Sequence, residues 1–259
     1  MISIVIPTFN SEKIIKKLCD EISNHLLVDN EIIIVNDAST DNTKKVLGEL
    51  SNNSKNISVV NLKSNIGQVG ATILGISLAK GNYIVTMDDD LQHHPKNIND
   101  LYEFIKISDS DIVVAKWRQD ETILRNIGSY GFSILSSLLI IKSINFRNTA
   151  FRIFKSQIKY DFVEFFKSRY WIDPRRLNLK VSQINVIHNY QNFRPYSSFK
   201  SRITLALKHV MFDSFFLQFL ILIVFQENFY SLLFVISLTT ILQNIIRENT
   251  KRKRSNIIY

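Results

Sequence analysis

Four short apolar runs, each set apart from the next by a helical pattern, decide what this chain can fold into. They occupy residues 2–6, 31–35, 57–62 and 83–87. Their β-branched, nearly continuous apolar composition suits strands buried on both faces. Ile14, Ile15, Leu18, Ile22 and Leu26 recur at helical spacing after the first run. Residues 43–50 continue as a helix after the second run, and Ile73, Leu74, Ile76 and Leu78 mark one after the third. The order β-α-β-α-β-α-β calls for an α/β domain with a mostly parallel sheet flanked by helices. A helix over 96–107 and strands over 111–115 and 181–187 extend it.

The fourth run ends in three consecutive carboxylates, Asp88, Asp89 and Asp90. Such a cluster is costly unless a positive charge sits within it. Period-two alternation puts Asp88 and Asp90 on one side of the strand end and Asp89 on the other. Open α/β sheets bind ligands at the carboxyl ends of their strands. A divalent cation that takes oxygen ligands and carries a diphosphate would account for the pair, and Gln92 adds a neutral oxygen. A solvated acidic turn that caps the next helix is the more common reading of these residues alone. No Gly-x-Gly-x-x-Gly follows the first strand, and no Gly-Lys-Ser/Thr loop occurs, so dinucleotide and P-loop readings lose their main support.

Other loops carry further candidates. Thr8-Phe9-Asn10-Ser11 is a turn in which Asn10 or Ser11 is expected to cap the first helix. Asp41 is placed to cap the helix from Thr43, and Gly67 can supply a positive φ or a close backbone approach. The single cysteine, Cys19, excludes an intramolecular disulfide framework, and its helical neighbours Leu18 and Ile22 favour a core thiol. The chain opens directly on a strand, without the pattern of a signal peptide.

Net charge is +9, unevenly placed: residues 200–259 hold eight Lys/Arg against three Asp/Glu. That stretch is otherwise apolar over 211–225 and 229–242, with a polar turn at 226–228. A spanning helix needs about 20 apolar residues. Both segments are near or under that length, so a transmembrane hairpin, a re-entrant or interfacial hairpin and a buried soluble pair all remain open. Residues 1–199 are read as the α/β domain, 200–209 as a basic connector, and 210–259 as a membrane-associated helical hairpin. The run Lys251-Arg252-Lys253-Arg254 is expected on the cytoplasmic side. That tetrabasic run, with no aromatic stacking surface beside it, does not favour nucleic acid.

The string Asp88-Asp89-Asp90-Leu91-Gln92-His93-His94-Pro95 resembles the Asp-x-Asp-Leu-Gln-His-x-Pro signature of family 2 glycosyltransferases, in the branch of dolichyl-phosphate mannose synthase and undecaprenyl-phosphate sugar transferases. Pro7-Thr8-Phe9-Asn10, the loop Asn36-Asp37-Ala38-Ser39-Thr40-Asp41 and the segment Lys63-Ser64-Asn65-Ile66-Gly67-Gln68 are similar to the family's nucleotide-binding strings, in the same order. The resemblance implies a GT-A fold and transfer, with inversion, from a nucleotide-diphosphate sugar to a polyprenyl phosphate in cell-surface glycan synthesis. It implies Mg²⁺ or Mn²⁺ on Asp88, Asp90 and Gln92. It also implies a nucleotide-sugar pocket from Pro7, Thr8, Asn10, Glu12, Asp37, Asn65, Gly67, Gln68, Asp88, Asp89 and Arg194, with Asp37 at the base. Arg118 maps to a phosphate-binding arginine, and Asp173 is a candidate for sugar or acceptor contact.

The chain departs from the family pattern in three places. Ser11 replaces the usual Glu, with Glu12 one place later. Ala150 stands where relatives carry an Asp before Phe-Arg, and no Gly precedes Ser197. Two alternatives follow: transfer to a hydroxyl of a lipid-linked glycan, with Asp173 as base, or a membrane-tethered nucleotide-sugar binder without turnover. The expected location is the cytoplasmic face of a bacterial inner membrane. The oligomeric state is not legible in the sequence.

Overall fold

The computed structural model describes residues 1–117, 149–166, 174–177 and 179–186. Among them, seven strands form one sheet in the order β3-β2-β1-β4-β6-β5-β7. The strands are β1 (Ile2–Thr8), β2 (Asn30–Asn36), β3 (Ile57–Asn61), β4 (Tyr83–Thr86), β5 (Ile112–Trp117), β6 (Arg152–Lys155) and β7 (Val181–Val186). The helices are α1 (Ile15–His25), α2 (Thr43–Asn53), α3 (Gln68–Leu78), α4 (Asn97–Ile107) and α5 (Lys159–Phe166).

β1 is buried along its whole length, which explains why its sequence is an unbroken apolar run. Its alternate residues feed two cores. Ile2, Ile4 and Ile6 pack with Leu18 and Ile22 of α1, Leu47 of α2, and Leu101 and Ile105 of α4. Val5 joins Ile33, Val35, Ala71, Ile76, Phe154 and Phe162 on the face covered by α3 and α5. Each such isoleucine contributes roughly 1.5–3 kcal/mol by its burial. Cys19 lies within the first core; burial, with Asp20 beside it, pushes its thiol up to about 12, as a core thiol requires.

β1 pairs in parallel with both β2 and β4. The chain therefore winds outward from β1 through β2 to β3, then returns across the sheet to place β4 on the other side of β1. Strand order reverses there, and the loops that follow β1 and β4 meet at the carboxyl edge, the place where open sheets take ligands in a crevice. Pro7 stands beyond the last β1–β4 pair, Val5 with Thr86, where a proline does not interrupt that ladder.

β6 is an addition to the strands read from sequence. It runs antiparallel between β4 and β5, so that β4, β5 and β7 point the same way. Neither Asn10 nor Ser11 caps α1 with its side chain, contrary to expectation. The N–H groups of Ile14 and Ile15 bond the Ser11 carbonyl, while both side chains are committed to loops of the crevice. Asp41 lies one residue before the N-cap Asn42, and its Oδ1 accepts the N–H of Thr43, the first residue of α2, at 3.0 Å.

Among the described residues no helix is long and apolar enough to cross a membrane. The apolar segments of 210–259 lie outside them, as do Arg118, Asp173 and Arg194.

Candidate active site

The loops after β1, β2, β3 and β4 interlock at the carboxyl edge of the sheet. Asp89, from the β4 loop, turns toward β1: its Oδ2 accepts hydrogen bonds from Thr8 Oγ1 and Ser11 Oγ, each at 2.5 Å. Asp88 turns the other way, toward α3, and its Oδ1 accepts from Gln68 Nε2 at 2.5 Å. The separation of Asp88 from Asp89 that alternation implied is thus realised in their partners. Asp90 Oδ1 accepts the N–H of Gln92 at 3.0 Å, which folds the loop back on itself.

The electrostatics are those of a half-buried carboxylate cluster. Burial first, then the charges of Asp90 and Asp89, push the Asp88 carboxyl from an ordinary 3.8 up to about 7. Arg152 and the Gln68 amide pull it back only in part. Arg152 is the residue that the sequence reading passes over. It is buried in β6, opposite Thr86 of β4, and its charge acts on Asp88. The signal available was the Phe-Arg string itself, which sets a cation between Phe151 and Ile153.

Asp37 is buried after β2. Its Oδ1 accepts the N–H of Ile66 at 2.7 Å and its Oδ2 the N–H of Gly67 at 2.9 Å. Burial raises this carboxyl above its usual range, and the two backbone bonds offset part of that. Its own N–H bonds the Thr8 carbonyl, so Asp37 ties the first three loops together. Asn65 completes the turn: its amide donates to the Asp37 carbonyl, and its Oδ1 accepts the Gly67 N–H. Gly67 has φ 82°, a conformation that glycine alone adopts cheaply, and it starts α3.

Asn10 and Glu12 face the β2 loop. Asn10 Oδ1 accepts the Thr40 N–H at 2.8 Å, and Glu12 Oε2 accepts the Asn42 N–H at 2.9 Å. Among the described residues, the non-glycine positions with positive φ are Asn10, Ala38 and Leu91. All three sit in loops at this edge, so backbone strain is concentrated where the carboxylates are. Behind them, His93 stacks on Phe151 at 4.8 Å, and Thr86 Oγ1 donates to the Ala150 carbonyl at 2.6 Å. The segment before β6 is thereby joined to β4 and to the loop after it.

Sequence comparison decides the family. The family model described as glycosyl transferase family 2 matches residues 3–197. The chain belongs to that family. Among curated relatives, a dolichyl-phosphate beta-glucosyltransferase of Trichomonas vaginalis is 29% identical over 214 residues, covering 73% of this chain and 65% of that protein. A dodecaprenyl-phosphate galacturonate synthase of Rhizobium johnstonii is 30% identical over 166 residues, covering 61% and 48%. The chain thus spans less than two thirds of the length of either relative. The solved glucosyl-3-phosphoglycerate synthase of Mycobacterium tuberculosis, in complex with Mn²⁺ and UDP-glucose, superposes with TM-score 0.59 at 17% identity. The match covers 82% of this chain and 77% of that one. The fold of this family 2 member is accordingly GT-A-like, with a mostly parallel sheet.

The donor set tests whether a divalent ion fits. Asp88 and Asp90, with Gln92 in the same loop, offer oxygen ligands, the chemistry that Mg²⁺ and Mn²⁺ take. A carboxyl pushed up by two neighbouring negative charges is one that a cation would relieve. The residues present fit such an ion.

Proposed function

We propose that this chain is an inverting glycosyltransferase that moves a sugar from a nucleotide-diphosphate donor to the phosphate of a polyprenyl lipid. The observation that carries the reading is the carboxylate cluster at the β1–β4 crevice of a family 2 fold. The names of two relatives, which act on dolichyl and dodecaprenyl phosphate, support the acceptor class. A fold neighbour that binds Mn²⁺ with UDP-glucose supports the donor class.

In this reading Asp88, Asp90 and Gln92 hold Mg²⁺ or Mn²⁺, which supplies positive charge to the leaving diphosphate. Asp89, fixed by Thr8 and Ser11, holds the loop that carries Asp88 and Asp90. Asp37 lies at the base of the nucleotide. Each of its oxygens already accepts one backbone N–H and can accept another, as a donor on a nucleobase would require. Pro7, Thr8, Asn10, Glu12, Asn65, Gly67 and Gln68 shape the pocket around it. Arg118 and Arg194 are assigned to phosphate. A lipid phosphate is already an oxyanion, so the acceptor needs positioning and exclusion of water more than a general base. The basic, apolar residues 200–259 bring the domain to the membrane that holds this lipid.

The test is a product assay. Purified full-length chain in detergent is offered a panel of nucleotide sugars with undecaprenyl phosphate, and lipid-linked sugar is read by mass spectrometry. One donor is expected to give product in a Mn²⁺- or Mg²⁺-dependent manner, and Asp90→Ala to lower the rate by about 10²-fold or more. Asp173→Asn is expected to keep near-normal turnover; a large loss would move the acceptor from a phosphate to a glycan hydroxyl. Absence of lipid-linked product with every donor would refute the reading.

A further inference from the structure

We propose that Glu21, His25 and His94 form a second metal site, of the kind that takes Zn²⁺, on the flank of the domain beside the crevice. Glu21 and His25 are one turn apart on α1 and so share a helix face. His94 comes from the loop between β4 and α4. One ligand atom from each residue lies within 4.8 Å of the others, and all three side chains are half-buried. The two imidazole rings meet edge to face, with centroids 5.0 Å apart at 88°.

The chemistry differs from that of the aspartate loop. Two imidazoles and one carboxylate make a borderline donor set that suits Zn²⁺, whereas Asp88, Asp90 and Gln92 offer only oxygen. Three protein ligands at a half-buried position leave room for water as a fourth. The supporting contacts orient the rings. His25 Nδ1 lies 2.9 Å from the Glu21 carbonyl oxygen; as the N–H donor to it, Nδ1 leaves the lone pair on Nε2. His94 Nδ1 accepts the Lys96 N–H at 3.1 Å, a hydrogen bond that a metal taking this lone pair would displace. Lys96 is exposed, and its N–H can then bond water.

The two elements are also locked together without the metal. Asn99 of α4 donates to the His25 carbonyl at 2.8 Å and accepts the Leu27 N–H at 3.2 Å. Its side chain fixes the end of α1 against the first turn of α4, so the ligands are brought close before any ion arrives. His94 follows Asp90 by four residues in one loop. Zinc here would fasten the carboxylate loop to α1 and stiffen the crevice from outside.

The experiment is Zn²⁺ titration calorimetry on full-length chain freed of any affinity tag, without nucleotide. One equivalent is expected to bind and to persist in the Asp88→Asn, Asp90→Asn double variant. Affinity is expected to fall at least about tenfold in each of Glu21→Gln, His25→Gln and His94→Gln. Binding unchanged by these three substitutions, or lost in the aspartate variant, would overturn the proposal. As a check that does not depend on variants folding, Co²⁺ added to the wild-type chain is expected to show the visible absorption of an imidazole-ligated, low-coordinate ion. Its absence would also overturn the proposal. Neither readout involves sugar transfer, so this inference and the proposed activity fail separately.

Discussion

Asp88 concentrates the conflict on which the site is built. Its carboxyl is raised by burial and by two like charges, so the native state favours the protonated form. Stability from this group is therefore full below the ordinary aspartate range and is lost as pH rises toward about 7. In metal-free protein, Asp88→Asn should raise stability at pH 8 by on the order of 1–2 kcal/mol and flatten its pH dependence between about 4 and 7. Thermal unfolding across that range, in the presence of a chelator, measures it; a destabilised Asp88→Asn protein at pH 8 would contradict the assignment. Arg152 is the matching residue. Removing a buried cation from opposed carboxylates should cost about 2–3 kcal/mol in Arg152→Leu. A double-mutant cycle with Asp88→Asn should show a coupling of about 1 kcal/mol, and a coupling near zero would mean that the two do not interact.

At the scale of elements, much of the site follows from how short strands end. β1, β2 and β4 were legible because burial on both faces makes each an apolar run, whereas the edge strand β3, with Ser58 and Asn61 exposed, was legible from its β-branched residues; each run stops where polar side chains take over. β6 was not legible. Its four residues carry cations at both ends, and they form a strand only because β4 and β5 flank them and bury Ile153 in one core and Phe154 in the other. The roles of Asn10 and Ser11 were misjudged for a similar reason. A cap is a local contact that sequence suggests, whereas Thr40 and Asp89 reach them across the fold. Gly75 shows the tight contact between layers: a Cβ there would lie 2.4 Å from Val5 Cγ1 and 3.3 Å from Val35 Cγ2. Gly75→Ala should therefore lift α3 from β1 and β2 and cost about 1–3 kcal/mol in chemical denaturation. A neutral effect would show that this interface repacks freely.

For the whole molecule, the return of the chain from β3 to β4 matters most, because it places one crevice beside β1. Loops far apart in sequence meet there: Thr8 with Asp89, Gln68 with Asp88, Asp37 with Gly67. The Asp88 to Pro95 string was readable as a signature, but its interlock with the β1 loop was not, since nothing in a linear pattern reports which hydroxyls hold Asp89. The most direct test of the account is calorimetry of Mn²⁺ with a panel of nucleoside diphosphates on the full-length chain. We expect at least one nucleotide to bind about tenfold or more tightly when Mn²⁺ is present, and the gain to vanish in the Asp88→Ala, Asp90→Ala double variant. Equal nucleotide affinity with and without Mn²⁺, or the same gain in the variant, would contradict it.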